Sequence, residues 1–511
     1  MQFNLIRLTV ALTVMLAAVA LAALPRASAV DAPDVARTQA GLVHGVLTDV
    51  IAFKGIPYAA PPVGPLRWRP PQAPAPWSGV REATSYGPAC MQPGPAYAKS
   101  EDCLTLNVWA PRDAHGRPVM VWYHGGGLVV GCGCDPALDG AVLARRGIVV
   151  VTLNYRLGIF GFLAHPGLSA ESPQHVSGNY GLRDQVAALQ WVKDNIAAFG
   201  GDPQRVTIFG QSSGAEAVAE LLIVPAARGF AARAIMESAP IMRPSRLEFT
   251  LAQAEQDGLR YGDVAALRAD SPEALLALVP PVDPETRAAT ARGLHPVRDG
   301  VTLPNDEYTA YTTGQVARIP VIIGNNTDEP SFYLRNMPVK TLAAYRPYLE
   351  ARFGPQAAEA ERLYPASDDA SATHAQAAIA SDTSVLWGVR ELARQMSKIG
   401  PVYKYVFSHA SNGVAPMHTS EIPYVFGNEF DGTNNKPRAF TAADRAVSNV
   451  MQSAWINFAT TGDPNGPGVP IAWPRFDAQT QRYLEFGDQP SIGADWHAAQ
   501  LDFLGRTLRH T

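Results

Sequence analysis

Short β-branched runs alternate with loops and helical patterns along most of this chain, and that alternation restricts the fold more than any other feature. Val119 to Tyr123, Ile148 to Leu153, Val206 to Phe209, Ile319 to Ile323 and Val402 to Phe407 read as buried strands. Between two of them, Leu182, Val186, Leu189, Val192 and Ile196 recur at helical spacing, and Gly200-Gly201-Asp202-Pro203 is the expected stop. The pattern predicts an α/β architecture: a mainly parallel central sheet, helices on both faces, and functional loops at the carboxyl ends of the strands. Residues 240–300 and 335–400 lack clear strands and are richer in Ala, Pro and charge. They are expected to be helical insertions over the sheet, forming walls of a substrate pocket. With no repeat and no low-complexity linker, one domain over 30–511 is expected.

Composition removes several classes of function. The 511 residues are 47% hydrophobic, which excludes a mainly disordered chain, and 4 cysteines exclude a disulfide-built scaffold. A formal charge of −4 gives no footprint for nucleic acid. Residues 1–29 read as an export signal: Arg7 is the positive n-region, Leu8 to Leu24 is almost wholly apolar, and Ala27-Ser28-Ala29 fits a cleavage site. The apolar run is also near the lower limit for a membrane anchor, but the cleavage site favours removal. The expected mature protein is secreted, without a membrane span. Cys90 and Cys103 enclose a short stretch and are plausible disulfide partners, whereas Cys132 and Cys134 are expected to be two small, partly buried thiols. No His cluster lies near them, so neither zinc nor any other cofactor is expected.

The chemistry begins at Gly210-Gln211-Ser212-Ser213-Gly214, directly after the run Val206 to Phe209 and before the helical run Ala215 to Leu222. Strand, sharp turn and helix put the central serine on a strained tip above the sheet. His124-Gly125-Gly126-Gly127 follows another strand, and consecutive glycines let backbone N–H groups approach a developing oxyanion. A phosphate-binding loop would need Gly-Lys-Ser/Thr next, and here Leu128-Val129-Val130 follows. A serine nucleophile needs a base oriented by a third group, in chain order Ser, acid, His. Of the histidines after Ser212 (His295, His374, His409, His418, His497 and His510), His418 stands in a loop after the strand Val402 to Phe407. Asp328 and Glu329, beyond the strand Ile319 to Ile323, are near-equal candidates for the acid.

Several separated motifs resemble the type-B carboxylesterases, the group that includes cholinesterases and bacterial p-nitrobenzyl esterases. They include Phe53 to Ala59 with Pro61-Pro62-Val63-Gly64, Glu101 to Asn107, the block from Gly178-Asn179 through Phe199-Gly200-Gly201-Asp202-Pro203, and Thr461-Gly462-Asp463-Pro464-Asn465. The resemblance implies the α/β-hydrolase fold and hydrolysis of a small-molecule ester. It also implies Ser212 as nucleophile, Glu329 as acid, His418 as base, an oxyanion hole from the N–H groups of Gly126, Gly127 and Ser213, and a Cys90–Cys103 disulfide.

The chain departs from the family pattern in places. Gln211 and Ser213 replace the usual Glu and Ala around the nucleophile, Pro330 and Thr419 replace glycines after the acid and base, and no Trp lies between Cys90 and Cys103. Loss of the elbow carboxylate and of that tryptophan argues against a choline ester and for uncharged esters. The competing readings are an amide, carbamate or thioester hydrolase of the same mechanism and, on the same fold, a non-catalytic binding protein.

Overall fold

The computed structural model describes residues 32–94, 97–242, 249–279, 294–334, 337–432 and 436–507. The predicted export signal, 1–29, lies outside them. At the centre is an eleven-stranded sheet. Six strands, Arg117–Tyr123, Gly201–Gln211, Arg233–Glu237, Val321–Asn326, Val402–Phe407 and Arg482–Phe486, run parallel side by side in that order, and Val149–Leu153 lies parallel on the other edge of Arg117–Tyr123. Antiparallel strands finish both ends: Thr105–Pro111, Val50–Pro57 and Val46–Leu47 on one side, Pro490–Ala494 on the other. The parallel centre matches the sequence reading. The antiparallel margins are not among the strands expected from the sequence; one of them, Val50–Pro57, is interrupted by Lys54-Gly55.

Strand pleating divides the core. Along Arg117–Tyr123, Val119, Val121 and Tyr123 join one buried layer with helices Tyr180–Asn195 and Ser213–Ile223. Met120 and Trp122 join a second layer, which contains Trp455 and Phe458 of helix Ala442–Thr461. Both faces are thus covered, as a parallel sheet requires. Helix Tyr180–Asn195 runs into a 3-10 turn and ends at Gly200 with φ 79°, the left-handed conformation glycine adopts without strain. Gly201 already starts the next strand, so the predicted four-residue stop is one residue deep. Likewise the strand expected over Ile319 to Ile323 runs instead from Val321 to Asn326, taking in Gly324-Asn325-Asn326.

The described parts of the insertions carry helices: Leu251–Gly258, Val264–Ala269 and Pro272–Leu278 in the first, where Thr250 also bridges to Arg298, and Leu342–Phe353, Ala357–Leu363, Asp369–Ser381 and Trp387–Met396 in the second. Among the described residues no helix is long and apolar enough to cross a membrane.

Cys90 and Cys103 are disulfide-bonded. Cys132 and Cys134 are bonded too, which corrects the expectation of two thiols. The cause lies in Gly133, whose backbone is clasped against the strand Val149–Leu153. Its N–H donates to Asn154 Oδ1 at 2.9 Å, and its carbonyl accepts from Thr152 Oγ1 at 2.7 Å and Asn107 Nδ2 at 3.0 Å. That clasp folds the flanking residues back, bringing their Cα atoms within 4.9 Å.

Candidate active site

The site gathers at the carboxyl ends of the parallel strands. Gly201–Gln211 ends at the turn carrying Ser212, whose φ of 56° and ψ of −130° mark a sharp reversal before helix Ser213–Ile223. The Ser212 N–H donates to the Glu237 carbonyl at 2.8 Å, fixing the turn to the neighbouring strand. Flanking glycines are a steric necessity. A Cβ on Gly214 would fall 2.0 Å from the Tyr123 carbonyl oxygen, and one on Gly210 would fall 2.7 Å from the same atom.

The glycine loop lies directly against this turn. A Cβ on Gly125 would sit 2.8 Å from the Gln211 carbonyl oxygen and 3.2 Å from Ser212 Cβ. Gly126 and Gly127 take φ of 112° and 65°, which swings successive peptide planes and re-aims their N–H groups. Ser213 opens the helix, where backbone N–H groups have no intrahelical acceptor. Its hydroxyl, at a position where the resembling family has Ala, accepts from the Leu128 N–H at 3.2 Å and so ties the loop to the turn. His124 is buried and stacked on Tyr155 at 4.4 Å. Burial lowers its imidazole to about 4, so it is a neutral structural group.

His418 and Glu329 come together across the next strands. His418 Nδ1 lies 2.6 Å from Glu329 Oε2, with both side chains buried. Glu329 Oε1 accepts from Ser238 Oγ at 2.5 Å and from the Asn326 N–H at 3.1 Å, so both carboxylate oxygens are engaged. Asp328, the other candidate by loop position, instead accepts from Ser331 Oγ at 2.6 Å. His418 Nε2 is 3.3 Å from Gln211 Nε2, the residue next to Ser212. Thr419 takes φ 79°, which explains why glycine suits that position, and its hydroxyl holds the loop by donating to the Gly432 carbonyl. Phe332 packs on the His418 ring, centroids 4.8 Å apart.

Two further buried carboxylates belong to this neighbourhood. Glu421 accepts from Asn326 Nδ2 at 2.5 Å, and burial, then the charge of Glu329, push its carboxyl above the usual range. Glu237 accepts from Trp455 Nε1 at 2.9 Å, and burial pushes it well up. Sequence reasoning missed Ser238, Asn326 and Glu237 at strand ends and Glu421 at a helix N-cap, since single polar residues at element ends carry no motif. Elsewhere, Glu216 and Glu220 of the nucleophile helix and Glu307 bring carboxylate oxygens within 4.8 Å of one another. A cavity of about 310 Å³ lined by Trp68, Arg69, Tyr180 and Arg183 contains none of Ser212, Glu329 and His418.

Comparison with known proteins follows the same lines. The model of the carboxylesterase family matches residues 32–504. The chain is 41% identical to the fumonisin B1 esterase of Sphingopyxis macrogoltabida, covering 92% of this chain and 90% of that one. It is 37% identical to the para-nitrobenzyl esterase of Bacillus subtilis (strain 168), over 90% and 96%. Among solved structures it resembles a thermophilic p-nitrobenzyl esterase at TM-score 0.81 and 34% identity, over 93% and 100%. The fold is therefore that of the α/β-hydrolases. By its sequence and its architecture the chain belongs to the carboxylesterase family, type B, and is a carboxylic-ester hydrolase.

Proposed function

We propose that ester hydrolysis here proceeds through an acyl-enzyme on Ser212, with His418 as general base and acid and Glu329 as its orienting carboxylate. The observation that carries the reading is the 2.6 Å contact of His418 Nδ1 with Glu329 Oε2, made beside the serine turn. That contact places the ring proton on Nδ1 and the lone pair on Nε2, the tautomer a base for Ser212 requires. His418 takes the Ser212 proton as Oγ adds to the ester carbonyl, and returns it to the leaving alcohol as the C–O bond breaks. Water then adds to the acyl group by the same route, releasing the acid and restoring Ser212. The N–H groups of Gly126, Gly127 and Ser213 stabilise the oxyanion at each addition.

Uncharged esters are the proposed substrates, because Gln211 supplies no charge beside the nucleophile and no tryptophan lies between Cys90 and Cys103. The relative named fumonisin B1 esterase adds fumonisin esters to the candidates, and export by residues 1–29 would place the activity outside the cytoplasm. The test is turnover of p-nitrophenyl esters of increasing acyl length by the chain from Val30, beside Ser212→Ala. Turnover lost in Ser212→Ala supports the reading, and turnover retained there refutes it.

A further inference from the structure

Gln211 is the last residue of its strand, 1% exposed, with Nε2 3.3 Å from His418 Nε2. Because Nδ1 is committed to Glu329, that second ring nitrogen carries the lone pair. An amide N–H aimed at a lone pair is favourable, whereas the amide oxygen in its place would set lone pair against lone pair. In the resting enzyme Gln211 therefore donates to the neutral imidazole at Nε2, and it yields that lone pair to the Ser212 hydroxyl when the proton transfers.

Carboxyl groups crowd the same ring from other directions, and burial holds two of them, Glu237 and Glu421, above the usual range. Glu329 touches it, Glu421 lies three residues along its own loop and senses its charge, and Glu237 ends the strand next to Gln211; all three are 0% exposed. Tyr405, on the strand Val402–Phe407, faces these carboxylates, and burial keeps its phenol protonated. Asp328 precedes Glu329 but is engaged by Ser331, and Phe332, which packs on the ring, is apolar. Position 211 makes its contact without adding another charge.

We propose that Gln211 is a positioning residue that holds the lone pair of His418 and keeps this base unprotonated to lower pH than a carboxylate at position 211 would allow. The inference rests on the Ser212–His418 reading above. The donated N–H stabilises the neutral ring, while a carboxylate would stabilise the imidazolium and remove the base at higher pH. Once His418 carries the Ser212 proton, rotation of the amide presents Oε1 as an acceptor for the new Nε2–H. Glycine at 125 leaves room for the amide end that faces away from the ring, since a Cβ there would lie 3.1 Å from Oε1 in its present position.

The test is the pH profile of kcat/KM on p-nitrophenyl acetate for the parent, Gln211→Glu, Gln211→Leu and Ser212→Ala. In Gln211→Glu the acid limb is expected to move up by about one pH unit. In Gln211→Leu, which keeps bulk and loses the donor, it is expected to move up by about half a unit. Limbs that stay within about 0.2 unit of the parent in both variants, or a downward move in Gln211→Glu, overturn the proposal. Should Gln211→Glu lose its near-UV circular dichroism, the leucine variant decides alone by the same criterion. Turnover surviving in Ser212→Ala overturns the underlying reading, whereas turnover lost there with unmoved limbs overturns this inference only.

Discussion

Replacing Lys404 with methionine should stabilise the protein, and by an amount that depends on pH. Lys404 lies on the strand Val402–Phe407 with 2% of its surface exposed. Burial first, and Arg390 second, lower its amine from 10.5 to about 7, while Asp495 acts weakly the other way. The unfolded chain therefore binds more protons than the native state between about pH 7 and pH 10.5, so wild-type stability rises with pH across that window. Below it the desolvation cost is fully present and constant. Integrated, the cost is about 4 kcal/mol at pH 7 and about 2 kcal/mol at pH 9. The Tyr483 ring, 5.5 Å from Nζ, offsets about 1 kcal/mol of this while the amine is charged. Methionine has a similar length and no proton to bind. Thermal unfolding of Lys404→Met and wild type at pH 7 and pH 9 reads the difference directly. The variant should unfold at higher temperature at both, with the gap narrowing by about 2 kcal/mol, or a few °C, on going to pH 9. A gap that does not change with pH would refute the assignment of a depressed, uncompensated amine at this position.

Other perturbations test the site. Glu329→Gln keeps the shape but not the charge beside His418 Nδ1, and should lower kcat by about 10³–10⁴ with the fold intact by circular dichroism. Gly214→Ala forces a Cβ to within 2.0 Å of the Tyr123 carbonyl oxygen; loss of activity together with a Tm lowered by several °C is expected, and a variant of full activity would contradict the close approach. Ser213→Ala frees the Leu128 N–H that Ser213 Oγ accepts. It should reduce kcat several-fold with KM little changed, read from steady-state kinetics, because the loop carrying Gly126 and Gly127 loses its tie to the turn. The double variant Cys90→Ser/Cys103→Ser opens a 13-residue link and should cost about 3 kcal/mol in denaturant unfolding.

What the sequence made legible was local. A β-branched run followed by Gly-Gln-Ser-Ser-Gly, and another followed by His-Gly-Gly-Gly, encode turn geometry within a few residues, and the steric contacts of Gly210, Gly214 and Gly125 show why those residues are required. What joins segments was less legible. By loop position Asp328 and Glu329 have equal claims; the family resemblance implies Glu329, and the partners supplied by Ser238, Asn326 and His418 give the physical distinction. Cys132 and Cys134 read as two thiols, whereas Gly133 between them is clasped by Asn107, Thr152 and Asn154, residues 19 or more positions away. Gln211 read as a lost charge, whereas its amide is placed on the ring nitrogen of a residue 207 positions distant. Long-range contacts of this kind have no period and no spacing to read.

The central claim is that Ser212 carries the acyl group. Its most direct test is to react the enzyme with a fluorophosphonate, which captures activated serine nucleophiles, and to locate the adduct by peptide mass spectrometry. The account predicts one adduct per chain, on the peptide containing Ser212, absent in Ser212→Ala together with p-nitrophenyl ester turnover. An adduct on another serine that tracks with activity, or undiminished turnover in Ser212→Ala, would contradict it.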